Sequence, residues 1–195
     1  MRVPLALLAA VALLAACETP KPLVNVPLVW KPTVPFDVAS ESSTARIQFG
    51  TFKDVRDNPQ LIAENREQKA PRSVTTRDDV GGFVASNMRT LFSKSGLTTV
   101  ESGGDVILSG EVQQFFVAET DNYDGRVVLH LVLTDASGTR IWEGTMNGSA
   151  SHFGRSYTAE NYYETLSDSV SGATRSILHD TGFRAAMARA ALARR

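Results

Sequence analysis

The sequence predicts an α+β domain: an antiparallel sheet of about four strands with two long helices packed on one face, in the order strand-helix-strand-strand-strand-helix. Three observations carry this expectation. Several runs alternate apolar and polar residues, the period of a half-buried strand. Two stretches instead repeat apolar residues at spacings of three and four, the period of a helix with one apolar face. Turn residues then place the last three strand-like runs next to one another, so that strands and helices are segregated rather than alternating along the chain.

The first strand is Ala45-Arg46-Ile47-Gln48-Phe49-Gly50-Thr51-Phe52, with Ile47 and Phe49 on one face. The polar stretch from Lys53 to Arg77 contains Asp57-Asn58-Pro59 and Ala70-Pro71 and reads as a long loop. Asp78 or Asp79 is placed to cap the next helix. Val80, Phe83, Val84, Met88, Leu91 and Phe92 form its apolar face, and Gly96 stops it. Gly81-Gly82 weakens its first turn. Three strands follow, 106–118, 126–134 and 140–149. In the second, Val127, Leu129, Leu131 and Leu133 point one way and Val128, His130 and Val132 the other. Asp121-Asn122 with Asp124-Gly125, and Asp135-Ala136-Ser137-Gly138, are the hairpin connections. Thr158 is placed to cap a last long helix whose stripe is Tyr163, Leu166, Val170, Ala173 and Ile177. Of the Phe115-Phe116 and Tyr162-Tyr163 pairs, one ring each is expected in the core. Residues 184–195 form a basic, Ala/Arg-rich helical tail.

The N-terminus is of another kind. Met1-Arg2-Val3-Pro4 precedes an uninterrupted apolar run from Leu5 to Ala16. One positive charge, an apolar run and then small residues is the layout of a secretory signal peptide, and the run is shorter than the ~20 residues a membrane-spanning helix needs. It ends in Leu14-Ala15-Ala16-Cys17, which resembles the bacterial lipobox. Small residues admit the bond before the cysteine to a peptidase, and only a thiol forms the thioether to diacylglycerol. Cys17 is the only cysteine in the chain, so no disulfide forms and stability must come from a packed core. By resemblance to bacterial lipoproteins, residues 1–16 are removed and Cys17 carries a diacylglycerol and an acyl chain, an anchor into a membrane. Glu18, where aspartate would favour inner-membrane retention, points to the outer membrane.

Five of the eight prolines lie between Pro20 and Pro35, among Leu23, Val24, Val26, Leu28, Val29 and Trp30. Proline excludes a helix there. Residues 17–43 are thus the lipidated cysteine and a proline-rich, extended spacer, apolar enough either to dock along the domain or to serve as a partner-binding strip. Docking is the favoured reading, with Trp30 as an anchor at the core's edge. Residues 44–183 form one domain, the size expected of the roughly 179 residues left after cleavage.

Composition and motifs point away from several kinds of chemistry. The net charge of -1 shows no basic excess of the kind that binds nucleic acid. His130, His152 and His179 lie at no metal-ligand spacing, and no nucleophile-elbow, zinc-protease or phosphate-loop pattern occurs. Ser149 and Ser151 stand beside His152, but sequence adjacency does not make a nucleophile pair. Gly103-Gly104-Asp105 precedes a strand, not a helix, and so is no phosphate loop. The tail's Arg184, Arg189, Arg194 and Arg195 suit either a solvated helix end, the favoured reading, or contact with anionic lipid. No catalytic residue, metal or cofactor is expected.

With Leu14 to Cys17, several motifs resemble the YajG-type bacterial lipoproteins. These are the first strand ending Lys53-Asp54-Val55-Arg56, the helix closing Ser95-Gly96-Leu97, the strand opening Gly104-Asp105-Val106-Ile107-Leu108, and the hairpin Leu133 to Trp142. The resemblance runs from Ala45 to about Phe183 and implies an envelope lipoprotein of a family with no established catalytic residues to carry over. The expected function is therefore that of a membrane-anchored, non-enzymatic protein that binds or braces an envelope partner. The alternatives are an accessory subunit of an envelope transport or lipopolysaccharide-assembly machine and, less favoured, a cell-wall or lipid hydrolase.

Overall fold

The computed structural model describes residues 21–37 and 44–193. The signal peptide and Cys17 lie outside the described residues. Ten elements follow in order: β1 (Arg46–Asp54), β2 (Leu61–Asn65), β3 (Arg72–Thr75), α1 (Val80–Lys94), β4 (Thr98–Val100), β5 (Val106–Glu119), β6 (Asn122–Asp135), β7 (Arg140–Phe153), α2 (Ala159–His179) and α3 (Thr181–Ala193).

The class is α+β as expected, but the sheet is mixed and has seven strands among the described residues, with three helices rather than two. β5, β6 and β7 are the antiparallel meander, paired from Val106↔Asp135 to Glu119↔Tyr123 and from Asn122↔Phe153 to Thr134↔Arg140. The other edge of β5 is shared by two parallel strands. β1 pairs along its first half and β2 along its last three residues. β4 extends β1 in parallel, and β3 extends β2 antiparallel. β1–α1–β4 is thus a crossover unit, since parallel neighbours need a long connection.

The expectation of an all-antiparallel, four-stranded sheet failed for two physical reasons. β2, β3 and β4 are only three to five residues long, too short for alternation to register, and β2 and β3 lie in the stretch read as loop. Hairpin turns are also legible in sequence, whereas the direction in which β1 returns to the sheet depends on where α1 packs.

The core lies between one face of the sheet and the helices. Tyr123, Val127, Leu129, Leu131 and Leu133 of β6 are fully buried, while Arg126, Val128, His130 and Val132, on the alternate face, retain exposure. Edge-to-face aromatic pairs run from Phe49 to Phe92, Phe183 and Trp142 at 5.4–6.0 Å. Of the adjacent aromatic pairs, Phe115 and Tyr162 are buried, and Phe116 and Tyr163 are half-exposed. The stripe on α2 therefore begins at Tyr162, not Tyr163.

Asp79 caps α1 by accepting the Gly82 amide at 3.0 Å. Gly81, which costs helix propensity, has a packing reason: a Cβ there would lie 2.2 Å from the Phe52 carbonyl oxygen. Gly96 ends the helix at φ 89°. Thr158 is the N-cap of α2 but makes no side-chain cap bond. The tail is helical in α3 as far as Ala193, and Arg194 and Arg195 lie outside the described residues; Phe183, Ala186 and Met187 of α3 are buried. Asp180 seats it by accepting the Phe183 amide at 2.7 Å and the Trp142 indole at 2.9 Å.

Candidate functional site

The proline-rich segment lies against the domain as a strap. Its first part extends the sheet: Leu23 bridges Val74 in parallel, with Thr75 N donating to Leu23 O at 3.0 Å and Val26 N to Thr75 O at 2.7 Å. The Leu28 amide then donates to Asp78, and Trp30 packs edge-on to Phe83 at 6.1 Å. From Lys31 the strap follows α2. Its ammonium joins Glu160 and Glu164, which hold its pKa above the ordinary lysine range. Proline has no N–H, so the strap's donors are residues between the prolines, among them Val26, Leu28 and Lys31, whose amide donates to Ser167 Oγ at 3.1 Å.

The strap's main catch is Asp168, a buried carboxylate on α2. It accepts Thr33 N at 2.9 Å, Thr33 Oγ1 at 2.5 Å and Val34 N at 3.2 Å. His152 Nε2 stands 3.0 Å from the second oxygen of the same carboxylate, an ion-pair separation, although the ring is not aimed along a hydrogen bond. A cleft of about 190 Å³ beside it is lined by Val34, Ser149, Ser151, His152 and Arg175, among others.

A second buried acid, Glu119, ends β5. It accepts the Tyr162 hydroxyl and, at 3.1 Å, the Tyr157 amide. Burial first, and then the bond to Glu119, push the Tyr162 pKa far above the usual phenol value. Tyr157 is held at φ 45°, unusual for a side chain of its size. Arg72 stacks on its ring at 4.0 Å, and its hydroxyl accepts the Leu23 amide at 3.1 Å. A register shift in β5 between Val112 and Gln114 turns Phe115, Val117 and Glu119 inward, so the even-numbered face read from Val106, Leu108 and Val112 does not lead to Glu119. No local signal marks Asp168 either, whose partners come from 135 residues away in sequence.

These contacts gather one pole of the molecule. It comprises the β2–β3 turn, the β5–β6 turn and residues 153–158. Arg66 N donates to Glu119 O at 2.7 Å, Gly154 N to Asp121 O at 3.3 Å, and Arg155 bridges Asp121 and Glu67. Because Leu23 pairs in parallel with β3, the chain before Leu23 points toward the beginning of β3, which is this pole.

The residues singled out in sequence do not converge. His130 lies on the uncovered face of the sheet, 2.8 Å from Glu143 and 3.7 Å from Glu111. Ser151 donates to Asp124 at 2.6 Å, away from the ring of its neighbour His152, which faces α2. His179 is exposed at the end of α2. Asp105 binds Arg46. Among the described residues there is no group of three or more metal-ligating side chains, and no helix is long and apolar enough to cross a membrane.

No protein-family model matches the chain, and no curated protein sequence matches it. Solved structures do. A Xanthomonas campestris protein of family DUF330 is 13% identical, with 79% of this chain and 94% of that one covered, at a TM-score of 0.52. A minor lipoprotein from Acinetobacter baumannii is 10% identical over 68% of this chain and 91% of that one, at 0.38. Lipoprotein B from Nitrosomonas europaea is 10% identical over 76% and 96%, at 0.35. At the first of these scores the likeness is one of fold, and this chain has the α+β fold of the Xanthomonas campestris DUF330 protein.

Proposed function

We propose that this chain is a YajG-type lipoprotein of the bacterial envelope, anchored in the outer membrane by a diacylglycerol and an acyl chain on Cys17, whose domain binds or braces an envelope partner without catalysing a reaction. The observation that carries the reading is the strap. The lipobox Leu14-Ala15-Ala16-Cys17 stands only six residues before Leu23, where the chain is tied to the edge of the sheet. A lipid on Cys17 would thus hold the folded domain directly, not through a long tether.

The non-enzymatic part rests on how the buried acids are used. Asp168 is occupied by the strap's amides and hydroxyl, and Glu119 by two tyrosines. A general acid or base needs a free approach to substrate, whereas these carboxylates close internal joints. Glu18 after the cysteine supports the outer membrane as the destination.

The test is Cys17→Ala, followed by fractionation and labelling with radioactive palmitate. The unaltered chain should take up label and sediment with membranes, and the variant should lose both properties. Recovery of the variant in the same membrane fraction would count against the anchor.

A further inference from the structure

We propose that the pole carrying the β2–β3 turn, the β5–β6 turn and residues 153–158 rests on the lipid surface, with Phe153 and Val24 entering its interfacial layer. This rests on the reading of Cys17 as the lipid-bearing residue. Six residues span at most about 20 Å whatever path they take, so the acylated cysteine lies within that distance of Leu23. The parallel pairing of Leu23 with Val74 sends the chain off toward the start of β3. Lys21 and Pro22 therefore lead off on the side of this pole, and a lipid on Cys17, within that reach of Leu23, would set the bilayer near it.

The surface found there suits that neighbour. Phe153, the last residue of β7, is 89% exposed, and Val24 is 61% exposed. A free phenyl ring is costly to leave in water, and aromatic and aliphatic side chains beside cations are what interfacial membrane contacts use. Lys21, Arg66 and Lys69 are exposed at the same pole. Arg66 and Arg155 are each joined to acids there, Glu64 for the first and Glu67 with Asp121 for the second. This mixed charge lies along the pole between Val24, at the strap edge of the sheet, and Phe153, at the β7 edge, without repelling anionic lipid as an acidic cluster would.

The opposite pole is the β6–β7 turn around Ser137. The fourteen residues of β6 put it about 45 Å away at the rise of an antiparallel strand. α3, through Trp142 and Asp180, packs toward that far end, which sets Arg184 and Arg189 of α3 apart from the proposed lipid contact.

The experiment uses the full, acylated chain, in which no cysteine other than Cys17 occurs. Phe153→Cys and, separately, Ser137→Cys are labelled with an environment-sensitive fluorophore. Each protein is reconstituted into vesicles of phosphatidylethanolamine and phosphatidylglycerol containing a lipid with a nitroxide near its headgroup, and the vesicles are floated before measurement. Quenching several-fold stronger at position 153 than at 137 is expected. Protein that floats but is quenched equally at both positions, or more at 137, overturns the orientation and leaves the anchor standing. Protein that does not float overturns the anchor and the orientation with it.

Discussion

Tyr162 and Glu119 form a buried pair joined by a hydrogen bond. A tyrosine in an unfolded chain ionises near pH 10, but Tyr162 is buried and bonded to a carboxylate, so its folded-state pKa lies well above that. The folded chain then holds a proton that the unfolded chain releases. Its contribution to stability is complete below about pH 10 and is lost as the pH rises beyond it. Tyr162→Phe should accordingly flatten the alkaline limb of the stability curve, measured as urea midpoints across about pH 9 to 11. At neutral pH the same change should cost about 1–3 kcal/mol, because Glu119 loses a hydrogen-bond donor inside the protein. An alkaline limb as steep as that of the unaltered chain would refute this account of the pair. Neither the acid nor its partner was legible in sequence, because the register shift between Val112 and Gln114 reverses which residues of β5 face inward before Glu119 is reached. Tyr162 comes to it from α2, 43 residues on, and only the packing of that helix brings the hydroxyl within reach.

The strap is the element whose character depends most on its surroundings. Composition showed that it is extended and apolar, because prolines forbid a helix and valines and leucines alternate with them. Its seat is made by residues from β3, α1 and α2 together. Asp168→Ala removes the acceptor for Thr33 N, Thr33 Oγ1 and Val34 N at once. The amides of Thr33 and Val34 should then exchange with deuterium many times faster, while those of β5 and β6 keep their protection. Unchanged exchange at Thr33 and Val34 would mean that the apolar contacts of Val26 and Trp30 hold the strap by themselves. The short strands β2 and β3 depend on context in the same way. They lie between β5 and the strap and carry too few residues for periodicity to reveal them. The long elements were legible because fourteen to twenty-one residues repeat one pattern often enough to define a face.

The molecule as a whole is a sheet with one face covered, and the closeness of that cover is set at small residues. α2 crosses β6 and β7 over Gly125 and Gly148. A Cβ on Gly148 would lie 1.9 Å from the Ser169 carbonyl oxygen and 2.3 Å from the Ala173 nitrogen, both backbone atoms that no rotamer change can move. Gly148→Ala should therefore lower stability by about 3 kcal/mol or more, the upper end of the overpacking range, with a large drop in the thermal midpoint. A midpoint within a degree or so of the unaltered chain would show that α2 shifts freely on the sheet, contrary to the packing described here. The alternation of β6, the stripe of α1, most of the stripe of α2, a cap at Asp78 or Asp79 and the candidate anchor Cys17 followed from sequence alone, because each depends on residues close together in the chain. The parallel partners of β5, the seating of the strap on Asp168, the burial of Glu119 and the pole from which the strap starts were decided by the tertiary structure. In each of these the interacting groups are dozens of residues apart, and no local pattern encodes which of them will meet.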